Sequence, residues 1–191
     1  MMSQNSKIIR VPDMNRRKLI KAGLMLSLVC LNPLPAWAGY AGSNERTLSL
    51  LNTHTGERLR EVVYWEQGNY IHDALNDLNY VLRDHRTDEI HPIDPMTLDL
   101  MAAVSRKVKA SRPFEIISGY RSPQSNKALR NSSSGVAKYS YHMQGKAVDL
   151  RLPGVPLKVL RKAALDLHRG GVGYYPKSDF IHLDSGQARS W

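Results

Sequence analysis

The segment 140–150 constrains this chain more than any other stretch, because it places His142 seven residues before Asp149 with a glycine between them. The residues around Asp149 alternate apolar and charged side chains, which predicts a strand. A second short apolar run, 180–184, contains His182. Two imidazoles and one carboxylate are the ligands of an open catalytic zinc site, in which water takes the fourth position. We therefore expect the fold to bring these three residues to one metal ion.

The first 38 residues are predicted to be an export signal rather than part of the folded domain. The basic string 15–21 resembles the twin-arginine signal of bacterial export, although ordinary Sec export would also accept it. The apolar run 24–31 is shorter than the roughly 20 residues that span a bilayer, so no stable membrane insertion is expected. A small-residue site at 36–38 predicts cleavage after Ala38. Residues 39–191 would then form one zinc-binding domain, exported to the periplasm.

The cysteine count and the charge limit how this domain is stabilised and what it binds. Cys30 is the only cysteine and lies within the predicted signal, so the domain depends on its core and a metal rather than on disulfides. The formal charge of the chain is +10, and a surplus of five belongs to residues 1–38. The remaining +5 suits an anionic partner such as an acidic cell-wall polymer. Because no dense basic block or aromatic-basic interleaving occurs, nucleic acid is not an expected partner.

The spacing of apolar residues predicts an α+β domain. Strand-like runs at 47–51 and 59–65, with turn residues between them, predict a hairpin. Helical spacing follows at 71–82 and again after Asp94 and Pro95, which suit the first turn of a helix. The later elements are a strand at 114–117, a short helix at 126–130, a strand at 147–151, a helix at 157–167 and two strands within 171–186. This order indicates a small antiparallel sheet flanked by helices.

Arg121 is a further candidate for the site. It follows the strand at 114–117 in a glycine-containing loop, which is where binding residues are commonly placed. Its planar guanidinium suits a carboxylate or a polarised carbonyl. A surface ion pair explains the same residue equally well from this stretch alone.

Taken together, these features resemble the family of zinc D-Ala-D-Ala carboxypeptidases and murein peptidases, whose fold is shared with the hedgehog signalling domain. The likeness is strongest to its exported Gram-negative murein endopeptidases. The matching stretches span most of the second half of the chain: 117–122, 135–138, 140–149, 161–165, 170–176 and 182–184. The resemblance implies that His142, Asp149 and His182 bind zinc. It also implies that Arg121 orients the substrate and supports the oxyanion.

The general base is assigned by position within this family. Many members carry an acid three residues before the last histidine, and Asp179 occupies that place. Asp184, two residues after His182, would share its face in a strand and could serve instead, or could hold a ligand in place. We predict that Asp179 is the base and that Asp184 orients a ligand.

Export and the family resemblance together imply a zinc-dependent murein endopeptidase that hydrolyses peptidoglycan cross-links in cell-wall remodelling, as a monomer. The bond cleaved is left open between D-Ala to diaminopimelate and diaminopimelate to diaminopimelate. Two alternatives are a D,D-carboxypeptidase that trims stem peptides and a non-catalytic zinc-containing wall-binding module. An Fe(II) oxygenase also uses two histidines and one carboxylate, but its short His-x-Asp pair, as at 182–184, needs a later histidine that this sequence lacks.

Overall fold

The structure, a computed structural model, describes residues 44–133 and 135–191. Its elements are the strands β1 Glu45–Asn52, β2 Arg58–Glu66 and β3 Asn69–Tyr70, the helices α1 His72–Val81 and α2 Pro95–Lys107, β4 Phe114–Ser118, α3 Pro123–Ser132, a 3₁₀ turn Tyr141–Gln144, β5 Ala147–Arg151, α4 Leu157–Leu165, β6 Gly171–Tyr175, β7 Phe180–Asp184 and β8 Arg189–Ser190. The predicted export signal and its cleavage site lie outside the described residues. Within those two ranges, no helix combines the length and apolar character needed to cross a membrane.

The strands of the described chain form one sheet in the order β3-β2-β1-β4-β5-β7-β6-β8. Five of the seven pairings are antiparallel, whereas β1 with β4 and β6 with β8 are parallel. The predicted α+β class is confirmed, with a mixed sheet rather than a purely antiparallel one. Alternation along a strand indicates which face a side chain occupies but not which strand lies beside it, so the sequence did not reveal the parallel pairings.

The predicted hairpin and helices are present, with changes at some of their ends. β1 and β2 pair antiparallel. At the start of α2, the Asp94 side chain accepts a hydrogen bond from the backbone N–H of Met96 at 3.0 Å. α3 begins at Pro123, earlier than predicted, because Ser122 caps it by accepting from the backbone N–H of Ser125. β3 and β8 were not predicted, since two-residue strands are too short to show periodicity.

Strands β5 and β7 separate the hydrophobic core from the candidate site. α2 and α4 both pack against β7. Asp149 and His182 are register partners across β5 and β7, so their side chains share one face of the sheet. The apolar neighbours of these two residues are buried in the core, on the other face: Val148, Leu150, Ile181 and Leu183.

Candidate metal centre

His142 is held by the 3₁₀ turn that precedes β5. Ser140 caps this turn by accepting a hydrogen bond from the backbone N–H of His142 at 3.3 Å. Gly145 then adopts a left-handed conformation with φ of 65°, and a β-carbon at this position would collide with the carbonyl oxygen of Pro92. The turn that carries His142 into the site therefore requires a glycine.

The ring of His142 has one nitrogen bound to the backbone and one facing the cluster. Nδ1 lies 2.7 Å from the carbonyl oxygen of Gly119, which can only accept, so Nδ1 carries the proton. Nε2 then presents its lone pair 3.2 Å from His182 Nδ1 and 3.3 Å from Asp149 Oδ2. Metal-binding histidines typically have this arrangement, with the second nitrogen donating to a carbonyl or carboxylate.

Asp149 and His182 complete a group of three donors. His182 Nδ1 lies 2.9 Å from Asp149 Oδ1, and the donor atoms of His142, Asp149 and His182 all lie within 4.8 Å of one another. All three side chains are buried. Metal bonds of about 2.1 Å at tetrahedral angles place donor atoms about 3.4 Å apart, close to the separations of these side chains. The three predicted ligands are thus brought together, and they fit a divalent ion with two nitrogen donors and one oxygen donor.

The electrostatics of the cluster favour a positive charge between these side chains. Burial alone would raise the pKa of Asp149, but the neighbouring His142 and His182 outweigh burial and hold that pKa below its usual value. Burial alone would lower the pKa of His182, yet its hydrogen bonds to Asp149 and Asp184 raise that pKa to about 9. A buried carboxylate that stays ionised beside an imidazole that favours its cationic form indicates a site for a cation.

Asp184 binds the second nitrogen of His182. Its Oδ2 lies 3.0 Å from His182 Nε2, and its side chain is 0% exposed. Arg189 donates two hydrogen bonds to the same carboxylate, at 3.0 and 2.7 Å. The backbone N–H groups of Gly171 and Gly186 donate to Oδ1 at 3.1 and 2.9 Å. Both oxygens are therefore occupied, and these are the contacts of a residue that orients a metal ligand.

Arg121 lies beside the cluster. Its backbone N–H donates to the carbonyl oxygen of His142 at 3.1 Å, and its Nη2 lies 3.5 Å from Asp149 Oδ2. Burial lowers the pKa of Arg121, and attraction to Asp149 offsets part of this effect. The buried Nε has no hydrogen-bond partner among the described residues. The guanidinium therefore has a donor left for a group that enters the site.

Asp179 is placed differently from the other predicted site residues. It occupies the turn before β7 with φ of 53°, and 66% of its side chain is exposed. Its carboxylate pairs with Arg151 Nη1 at 3.2 Å, and Arg151 also binds Glu115. Among the described residues, no contact of Asp179 reaches the three donors. The structure thus brings Arg121 and Asp184 to the cluster and leaves Asp179 apart from it.

The contribution of the last three residues was not predicted from the sequence. β8 pairs parallel with β6, and the Trp191 ring centre lies 5.3 Å from that of His182. Trp191 Nε1 also donates to the Tyr175 hydroxyl at 2.8 Å. A β-carbon at Gly173 would press against both aromatic rings. The glycines of β6 were the available signal, because glycine in a strand often marks a close approach by another group.

The chain is similar to known proteins over nearly its whole length. Residues 40–191 match the peptidase M15 family described as peptidoglycan L,D-endopeptidase MepK. One relative, the peptidoglycan L,D-endopeptidase MepK of Escherichia coli (strain K12), is 42% identical over 179 residues, which are 94% of this chain and 98% of that protein. Another, the probable peptidoglycan L,D-endopeptidase MepK of Haemophilus influenzae, is 38% identical over 180 residues, or 94% of this chain and 96% of that protein. The family match includes every residue of the site described above.

Proposed function

Because the chain belongs to the peptidase M15 family of peptidoglycan L,D-endopeptidases, we propose that it hydrolyses peptide cross-links in peptidoglycan during cell-wall remodelling. The family resemblance predicted from the sequence is confirmed. The observation that carries the proposal is the cluster of His142, Asp149 and His182. Three protein donors leave one position of a four-coordinate ion for water, as hydrolysis requires.

Zinc is the proposed metal, since two imidazoles and one carboxylate with an open position are typical of zinc hydrolases. When bound, zinc supplies a hydroxide near neutral pH and polarises the scissile carbonyl. Arg121 binds the carbonyl oxygen or a nearby substrate carboxylate through the guanidinium that faces the cluster. Asp184 and Arg189 keep the ring of His182 in its orientation.

We propose Asp179 as the general base, on the contrast between it and Asp184. Asp184 is fully buried and both of its oxygens accept hydrogen bonds, so it has no free position for the proton of a water. Asp179 is exposed and bound by one arginine, Arg151. Catalytic hydrogen bonds are often completed only when substrate is bound, which is consistent with an acid that stands apart from the cluster in the free protein.

The name of the relatives helps to choose between the two cross-links that the sequence left open. A cross-link from D-Ala to diaminopimelate joins two D centres, whereas a direct link between two diaminopimelates joins an L centre to a D centre. We propose that the second of these cross-links is the substrate, because both relatives are named L,D-endopeptidases. Trimming of a terminal D-Ala from stem peptides would break a D,D bond, which that name does not describe.

The proposed site of action is the periplasm, where Gram-negative peptidoglycan lies. The string 15–21 supports export by the twin-arginine route, since it carries the paired arginines Arg16 and Arg17 before a mild apolar run. A monomer is the proposed active form. One chain supplies all three metal donors, so a second copy is not needed to complete the cluster.

Defined muropeptides test this proposal. Protein purified without chelator should contain one zinc per chain and should convert a diaminopimelate-linked dimer to monomers, identified by mass. The His142→Ala variant should lose both the metal and the product. A folded, zinc-loaded chain that releases nothing from this dimer or from sacculi would refute the hydrolase and favour a wall-binding module. Cleavage of a D-Ala-linked dimer alone would refute the L,D assignment.

A further inference from the structure

A groove lies at the opposite end of β4 from the metal centre. It runs between the β1–β2 hairpin and the C-terminal end of α2, and its cavity volume is about 710 Å³. Phe114, the first residue of β4, lines the groove, whereas Ser118, the last residue, leads to Arg121. Four strand steps of about 3.3 Å separate these two ends by about 13 Å. The lining residues include no member of the metal centre, so the groove is a separate surface.

Cationic side chains outnumber acidic ones in this groove. Its lining contains five basic residues and two acidic ones: Arg58, Arg60, Arg106, Lys109 and Arg112, with Glu45 and Glu61. In the described part of the chain, none of the five basic side chains makes an ion pair or a hydrogen bond. The arginines that do bind carboxylates lie elsewhere: Arg46, Arg83, Arg121, Arg151 and Arg189. An excess of positive charge in a concave surface concentrates anions there.

The shape and lining of the groove restrict the kind of anion. The volume lies in the range of pockets that enclose a ligand, about 300 to 1,000 Å³, so a peptide-sized segment fits. A flat bilayer surface does not enter such a concave space. Phe114 is the one aromatic residue among the described residues that line the groove, and it is 1% exposed. The described lining of the groove therefore offers no exposed aromatic ring on which nucleic-acid bases could stack.

We propose that this groove binds a carboxylate-bearing stem peptide of peptidoglycan, away from the bond that is cleaved. The inference rests on the proposed function, which places the chain beside a polymer with repeated carboxylates. Diaminopimelate alone carries two carboxyl groups, and guanidinium groups bind carboxylates with charge-assisted hydrogen bonds. A second contact holds the enzyme on the insoluble polymer between cleavages and raises the effective concentration of cross-links at the metal centre.

Two matched double variants test the groove. R60Q/R112Q removes two exposed charges from it, and R130Q/R169Q removes two exposed, unpaired charges from other parts of the described surface. Each is combined with His142→Ala, so that purified sacculi stay intact while co-sedimentation measures binding. R60Q/R112Q should weaken binding roughly 3- to 30-fold and reduce its salt dependence. R130Q/R169Q should bind like the His142→Ala parent.

The hydrolytic activity gives a second measurement, made with His142 in place. R60Q/R112Q should slow release from sacculi and leave hydrolysis of a soluble cross-linked dimer unchanged. Equal effects of both double variants, or no effect of either, would overturn the proposal. Loss of binding to phosphatidylglycerol vesicles with unchanged binding to sacculi would also overturn it, in favour of a lipid surface. Groove-dependent binding to sacculi by a wild-type chain that cleaves nothing would refute the proposed function and still support the groove.

Discussion

Two aspartates close to the ends of strand β7 have opposite surroundings. Asp184 ends the strand with 0% exposure and accepts hydrogen bonds from His182, Arg189 and two backbone N–H groups. Asp179 precedes the strand, is 66% exposed and pairs with Arg151. Burial opposes ionisation of Asp184, but these hydrogen bonds hold its pKa below the usual value.

The difference shows that distance along the chain from His182 does not decide how a carboxylate is buried or paired. An acid that orients an imidazole must be immobile and permanently ionised, which requires that its oxygens be filled by donors. An acid that takes a proton from water must have a free lone pair and access to solvent. Asp184 meets the first condition and Asp179 meets the second, so the contrast between them can be tested residue by residue.

The largest effect should come from the histidine between these two acids. His182→Ala removes one of the three proposed metal donors, and we expect release of product from sacculi to fall by at least about a thousandfold, because several kcal/mol of transition-state stabilisation would depend on the metal. Metal content after dialysis should fall with it. If His182→Ala kept one tightly bound metal ion, His182 would not be a metal ligand. The comparison between Asp184 and Asp179 would then lose its basis.

Substitution of Asp179, the exposed acid before β7, should have the next largest effect on activity. If Asp179 is the base, Asp179→Asn lowers kcat by about 100-fold or more at unchanged metal content, because general bases contribute about 10² to 10⁴ in rate. Arg151→Gln is the matched control, since it removes the partner of Asp179 in the free protein and should leave kcat nearly unchanged. Full activity of Asp179→Asn would remove this residue from the mechanism.

Asp184, at the buried end of β7, should affect activity through the metal. Asp184→Asn should weaken metal affinity or activity by about 10- to 100-fold, as for other residues that orient a metal-bound imidazole. Arg189→Met should change metal affinity in the same direction, while Asp166→Asn, which removes an exposed paired acid, should not. Competition with a chelating dye measures the affinity. Unchanged affinity in Asp184→Asn would show that its contact with His182 is only structural.

Asp84 is a buried acid that contacts none of the three proposed metal donors. Its substitution should have the smallest effect of those considered. Its carboxylate accepts hydrogen bonds from the backbone N–H groups of Ser122 and Arg86 at 2.8 and 2.9 Å. Burial alone would raise the pKa of Asp84, but the neighbouring Ser125 side chain and the hydrogen bonds from Arg86 and Ser122 lower that pKa from 3.8 to about 2. Because the folded pKa is depressed, this stabilisation is fully present above pH 3.8 and is lost as the pH falls towards 2.

Asp84→Asn should therefore lower the free energy of unfolding by about 2 kcal/mol at pH 7 and leave the metal content intact. Urea unfolding between pH 7 and pH 3 measures the difference from wild type, which should shrink below about pH 4. A constant difference across this range would show that the carboxylate contributes packing rather than charge. Loss of metal would mean that the loop it holds also shapes the cluster.

Local sequence patterns predicted most of the secondary structure. The turn residues between 47–51 and 59–65 indicated the hairpin, and Asp94 with Pro95 indicated the start of α2, because capping and turn chemistry act within a few residues. The early start of α3 was missed, although Ser122 before Pro123 is itself a helix-start signal. The parallel pairing of β1 with β4 joins residues more than 60 positions apart, and no local pattern encodes it.

The sequence by itself determined the donor types and the alternation that puts Asp149 on one face of its strand, because side-chain chemistry and the period of a strand are local properties. It also carried the family resemblance. Only the tertiary structure decided that Asp184 is enclosed by Arg189 and backbone donors while Asp179 faces solvent, and that Trp191 lies against His182. Those outcomes depend on how distant strands pack and how much water they exclude, which sequence separation does not specify.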